Sequence, residues 1–108
     1  MKLSEKRILF TDCLAKLLVF MIANGERPAV GRDGEKHMKD SLHYDGLAVD
    51  VILYDENLLP KEDTEAHRKY GEYWESLHEL CFWGGPGQKI DGLKQDGNHY
   101  SITDRGRK

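Results

Sequence analysis

The 108-residue chain has no long uninterrupted apolar run, no surplus of positive charge and only two cysteines. Each shortfall removes a class of function. The most apolar stretch near the start, Leu14 to Ile22, contains Lys16 and is too short to span a bilayer. Lys2, Lys6 and Arg7 precede it, as in a secretory leader. Asp12 and Lys16 interrupt that pattern, however, and Asn24-Gly25-Glu26-Arg27 is a poor small-residue cleavage site. The expectation is a protein made in the cytoplasm, with no signal peptide and no membrane partner. Sixteen Lys and Arg against nineteen Asp and Glu leave a net charge of −3. That balance lacks the basic footprint of a nucleic-acid binder. Cys13 and Cys81 lie far apart and match no metal-ligand pair spacing. Two buried thiols are expected of them in a cytosolic chain, rather than a disulfide.

What is present suits one folded domain over residues 1–108. Hydrophobic residues make up 39% and charged residues 32%, the balance of a globular chain and not a disordered one. Ile8, Leu14, Leu17, Leu18, Met21 and Ile22 recur at near-helical spacing, with Ser4 as the expected cap and Asn24-Gly25 as the stop. The polar, glycine-containing stretch from Gly25 to Asp40 reads as a loop with a short strand near Ala29-Val30. Gly46 to Leu53 is almost wholly apolar and reads as a central strand buried on both faces. A second helix is expected from Thr64 to Leu80, capped by Asp63 or Thr64. Its apolar stripe would be Tyr70, Trp74, Leu77 and Cys81. The glycine-rich end, Trp83 to Lys108, has room for a hairpin or two irregular strands, with His99 to Ile102 the strand-like piece. The expected class is α+β, a small single domain with helices packed on one face of a mainly antiparallel sheet.

One residue in the central strand does not belong to its surroundings. Asp50 lies within Gly46-Leu47-Ala48-Val49-Asp50-Val51-Ile52-Leu53, where a carboxylate is costly to bury without a partner. An arginine, a hydrogen-bond network or a metal ion would each relieve that cost. His43 precedes it by seven residues, with Gly46 between them to allow a bend. Later in the chain, Asp96-Gly97-Asn98-His99 brings a second imidazole to the start of a strand. Two histidines and one aspartate leave a tetrahedral position open, as catalytic zinc requires. By spacing alone, the reading of Asp96-Gly97 as a hairpin turn prevails. His67 and His78, eleven residues apart on the second helix, read as surface or interface residues too distant to share a metal.

The stretch Ser41-Leu42-His43-Tyr44-Asp45-Gly46-Leu47-Ala48-Val49-Asp50 resembles the S-x-H-x-x-G-x-A-x-D signature of the zinc D-alanyl-D-alanine carboxypeptidase and dipeptidase family. Every fixed position of the signature is present. The family includes phage L-alanyl-D-glutamate peptidases that act as endolysins. Their second motif, an acidic residue three before a final histidine, is similar to Asp96-Gly97-Asn98-His99-Tyr100. Trp83-Gly84-Gly85 also resembles the phage branch. The resemblance runs in order from about Lys36 to Ile102.

The resemblance implies the fold shared by D-Ala-D-Ala peptidases and Hedgehog-like domains, with one catalytic zinc held by His43, Asp50 and His99. It makes Asp96 the general base and places Ser41 behind a ligand. Zinc would acidify its water and polarise the scissile carbonyl, while Asp96 passes a proton to the leaving amine. The family also carries an upstream arginine; Arg27, followed by Pro28, and Arg32 both fit that role. Trp83 and Tyr100, beside the motif in sequence, are the expected substrate contacts. The implied function is cleavage of the peptidoglycan stem peptide, at the L-Ala–D-Glu bond, by a monomeric endolysin-type hydrolase. It would act on the cell wall after release from the host cytoplasm and carry no wall-binding module. The alternatives are a D-alanyl-D-alanine carboxypeptidase and a non-catalytic zinc-binding phage structural module.

Overall fold

The computed structural model of the chain describes residues 1–31, 42, 45–61, 63–85 and 97–108. Its elements are helix α1 (Leu3–Ala23), strands β1 (Arg27–Val30) and β2 (Ala48–Tyr54), helix α2 (Glu65–Leu77), and strands β3 (Cys81–Trp83) and β4 (His99–Ile102). The four strands form one antiparallel sheet in the order β1-β2-β4-β3. The molecule is thus an α+β domain with both helices on one face of an antiparallel sheet, as the sequence pattern predicts.

The helix α1 is capped two residues earlier than expected. Its N-cap is Lys2, whose backbone N–H donates to Glu5 Oε1 at 2.9 Å, so Ser4 lies inside the first turn and caps nothing. At the other end Asn24 is the C-cap and Gly25 has φ +85°, the left-handed conformation that glycine takes without strain. The face carrying Phe10, Cys13, Leu17 and Met21 is buried, which is the i, i+3, i+7, i+11 repeat of one helix side. Among the described residues, no helix is long and apolar enough to cross a membrane.

The helix α2 stops at Leu77, three residues before the expected end, because Cys81 to Trp83 pair with β4 as a strand. Cys81 therefore belongs to the sheet and not to the helix stripe. His78 takes an extended conformation and makes the break. The buried face of α2 is His67, Tyr70, Gly71 and Trp74. Trp74 meets Phe10 of α1 edge-on at 5.8 Å and Tyr100 of β4 at the same distance. Those contacts place both helices over the same side of the sheet.

Strand parity then divides the sheet into two unlike faces. Val49, Val51, Leu53, Cys81, Trp83, Tyr100 and Ile102 point into the helical core. Asp50, Ile52 and Tyr54 point the other way and are half-buried. The expectation that β2 is buried on both faces is corrected accordingly: it is central in strand order, yet only one of its faces is fully covered.

The entry to β2 is fixed from several sides. Leu42 is buried, and its carbonyl accepts from the N–H groups of Asp45 and Leu47. Gly46 has φ +70° between them. Arg7 donates from Nε to the Asp45 carbonyl at 2.8 Å, and Arg107 donates to Asp45 Oδ2 at 2.6 Å. Arg107 also pairs with Asp104, which in turn receives Lys6 Nζ at 2.7 Å. The chain end, the start of α1 and the turn before β2 are tied into one charge network.

Candidate functional site

Asp50 lies in the middle of β2 and His99 opens β4, and the antiparallel register sets them directly opposite each other. Residues that face each other across paired strands point to the same side of the sheet. The result is a distance of 3.6 Å between His99 Nδ1 and Asp50 Oδ1, with both side chains largely but not wholly covered. Asp50 is also held at its backbone by the residue that follows β1. Its carbonyl accepts the N–H of Gly31 at 2.6 Å, and a Cβ on Gly31 would come within 2.9 Å of that same oxygen. Only glycine permits this approach.

The segment that delivers His99 is anchored through three successive carbonyls. Gly97 O accepts the indole N–H of Trp83 at 2.6 Å, Asn98 O accepts the N–H of Val51 at 2.9 Å, and His99 O accepts the N–H of Gly84 at 3.1 Å. Gly97 also lies against the N-cap of α2, where an added Cβ would meet Thr64 Cα at 2.7 Å. Burying these carbonyls with a donor for each satisfies the backbone and leaves little freedom to the start of β4.

Of the residues expected to form the site, the structure brings Asp50 and His99 together. His43, Asp96, Ser41 and Arg32 lie outside the described residues. Arg27 stands on the same sheet face as Asp50, since it pairs with Tyr54. It is four strand positions away from Asp50, about 13 Å at the rise of a strand. Among the described residues, no group of three or more His, Cys, Asp and Glu side chains is arranged to hold a metal ion. The pair that is described supplies one carboxylate oxygen and one imidazole, the donor types zinc takes.

Trp83 and Tyr100 do not reach this face. Trp83 is 4% exposed and Tyr100 wholly buried, both on the helical side of the sheet. The assignment of these two as substrate contacts is therefore corrected. Both sit one position from a site-facing residue, and strand alternation sends them inward. An aromatic that does share the face of His99 and meets it is Phe82, which pairs with Ser101 and lies edge-on to the His99 ring at 6.3 Å. Lys108 Nζ lies 5.3 Å from the centre of the Phe82 ring. The alternation of β3 would have singled out Phe82 had Cys81–Trp83 been recognised as a strand.

On the helical side of the sheet lie two polar groupings that sequence reasoning missed. His67 is buried, not a surface residue, and its Nδ1 is 2.8 Å from Tyr100 Oη. Burial drives its pKa down to about 4, so the ring is neutral at pH 7. Tyr70 donates its hydroxyl to Glu26 Oε2 at 2.5 Å, and Lys61 donates to Glu26 Oε1 at 2.8 Å. Burial raises the carboxyl of Glu26, but its bonds from Lys61 and Tyr70 outweigh that and hold it below its ordinary value. Burial also raises the Tyr100 hydroxyl, so it remains a neutral donor or acceptor for His67.

Compared with models of protein families, with curated proteins and with solved structures, the chain finds no match.

Proposed function

We propose that this chain is a zinc-dependent peptidase acting on the peptidoglycan stem peptide. The observation that carries the reading is the cross-strand pairing of Asp50 with His99. Two residues that the sequence separates by almost half the chain, and that the family signature assigns to one metal, share a sheet face at contact distance. The motif residues His43 and Asp96 complete the reading from sequence, by their place in the signature.

In this reading His43, Asp50 and His99 hold the ion. When bound, zinc supplies an acidified water and a Lewis acid for the scissile carbonyl. The chain's own contribution is to orient and to move protons. Asp50 and His99 are set by the β2–β4 register, so neither has to search for its position on binding. Asp96 accepts the proton from the attacking water and returns it to the leaving amine. Phe82, on the same face as His99, offers an apolar wall to the peptide. The L-Ala–D-Glu bond is the assigned point of cleavage, as in the phage branch of the family that the motifs resemble.

The test is digestion of purified murein by the protein loaded with zinc, beside its Asp96→Ala variant, with the new termini identified by mass spectrometry. Cleavage by the wild type, with the variant keeping its metal and losing activity, supports the peptidase. Release of terminal D-Ala alone would reassign the protein as a carboxypeptidase. Zinc binding with no cleavage of any murein bond would favour a structural module.

A further inference from the structure

Three consecutive carbonyls, of Gly97, Asn98 and His99, fix the segment that delivers the last candidate ligand. Two of their donors, the N–H groups of Val51 in β2 and of Gly84 just after β3, are backbone. The third, on Gly97, is a side chain: the indole of Trp83, at 2.6 Å. Gly97 directly follows Asp96 and stands two residues before His99.

The indole is itself tightly held. An added Cβ on Gly71 of α2 would come within 2.0 Å of its ring atoms, and one on Gly85 within 2.2 Å. No side chain fits at either position, so the two glycines leave a slot that the ring fills. The backbone N–H of Trp83 donates to Glu75 Oε2 at 3.2 Å, and the residue pairs with Tyr100 in the sheet. A donor seated this firmly transmits the position of α2 and β3 to the Gly97 peptide.

We propose that Trp83 is a positioning residue of the candidate site, acting through the Gly97 carbonyl on the placement of His99. This inference rests on the peptidase reading given above. Trp83 is buried on the helical side of the sheet, opposite the face of Asp50 and His99. Its work is to hold one peptide plane against rotation, and small displacements of a catalytic group are expensive in rate.

The structure supplies its own control. Trp74 is also buried, and its indole donates at 3.1 Å to the carbonyl of Ser101, at the other end of β4. The two tryptophans make the same kind of bond, one to Gly97 just before β4 and one to Ser101 within it. A purely structural role would give their loss the same consequences.

The experiment compares Trp83→Phe, Trp74→Phe and a benzothienylalanine at position 83, which replaces the N–H by sulfur while filling the same space. Hydrogen exchange of the Val51 and Gly84 amides is measured alongside kcat and KM on soluble muropeptides. Loss of the Trp83 N–H is expected to speed exchange at Val51 and Gly84 by about tenfold or more. It should lower kcat by about 10- to 100-fold with KM within about twofold. Trp74→Phe is expected to leave kcat within about threefold of wild type at comparable loss of thermal stability. Unchanged exchange at Val51 and Gly84 in the isostere overturns the inference, whether or not the wild type cleaves murein. Equal loss of kcat in both tryptophan variants also overturns it, in favour of a general stability effect. A wild type inactive on murein would defeat the peptidase reading instead, and with it the catalytic part of this role.

Discussion

Asp50 and His99 face each other across the β2–β4 pairing, with His99 Nδ1 3.6 Å from Asp50 Oδ1 on the sheet side away from the helices. Antiparallel register makes this adjacency a property of the fold. Sliding β4 by one residue would turn His99 into the core and bring Tyr100 out beside Asp50. The core contacts of Tyr100 with His67 and Trp74 oppose that slip, so the packing of one face sets the chemistry of the other.

The peptidase reading makes this pair a test of metal binding. We expect Asp50→Asn and His99→Ala each to weaken zinc affinity by at least about 100-fold, more than the loss of an outer-shell partner. Competition titration with a zinc-sensitive chelating dye measures this. Circular dichroism should show the sheet and helices intact, since the strands are held by their backbone and by the opposite face. Zinc affinity within a few-fold of wild type in both variants would remove these residues from the site.

His67 makes stability depend on pH. Its folded pKa of about 4 lies below the ordinary value of 6.5, so the unfolded chain binds the proton more readily. The stability is complete above pH 6.5 and falls as the pH drops from 6.5 toward 4, by roughly 3 kcal/mol in all. Glu26 and Asp63 favour the charged ring and Lys61 opposes it, but burial outweighs them. Urea unfolding at pH 7 and pH 4.5 should show the loss. In His67→Gln, which cannot titrate, the difference between the two pH values should shrink by about 2–3 kcal/mol. An equal pH dependence in both proteins would assign it to other groups.

The sequence made some of this legible and hid the rest for identifiable reasons. The apolar repeat of α1, the Asn24-Gly25 stop and the run into β2 all carry local signals, and their elements stand where those signals put them. The lone carboxylate of Asp50 among Val49, Val51 and Leu53 marks a special position by its chemistry alone. Strand β3 carries no such mark. Three residues are too few for a period, and Cys81 continues the helical spacing of Tyr70, Trp74 and Leu77. Missing that strand hid the parity that turns Phe82 toward His99 and Trp83 inward. His67 was hidden differently. A histidine among Glu65, Arg68 and Lys69 looks solvated, and only the tertiary fold brings Tyr100 Oη within reach of it.

Gly71 is the least replaceable small residue of α2. A helix-interior glycine normally costs about 1 kcal/mol relative to alanine, so Gly→Ala is stabilising at an open site. Here the added methyl would lie 2.0 Å from Cδ2 of Trp83 and 2.4 Å from two neighbouring ring atoms. Relief requires moving an indole that also bonds Gly97, or pushing α2 off the sheet. We expect Gly71→Ala to destabilise the fold by about 3 kcal/mol, the overpacking penalty exceeding the propensity gain. Thermal and urea unfolding measure it. A stabilised variant would show that the helix and the indole can separate at little cost.

Cys13 of α1 and Cys81 of β3 stand with their sulfurs 3.8 Å apart, both free thiols and both buried. Burial raises the pKa of each, and for Cys81 the neighbouring Cys13 raises it further. The thiolate is the reacting species, so both low exposure and low ionisation suppress attack on a disulfide reagent. We expect Ellman's reagent at pH 8 to modify neither thiol on the timescale of minutes in the folded protein, and both once the chain is unfolded in guanidinium. The rate in the folded state should follow the opening of α1 from β3, because the reagent cannot enter between packed elements. Destabilising Leu17→Ala, which empties a wholly buried position on the same helix face, should therefore speed the reaction about 30-fold or more, in step with a loss of about 2–5 kcal/mol. Rapid labelling of the wild type would contradict the packing of α1 on this end of the sheet. An unaltered rate in Leu17→Ala would locate the opening elsewhere, in a local separation of β3 that leaves the helix in place.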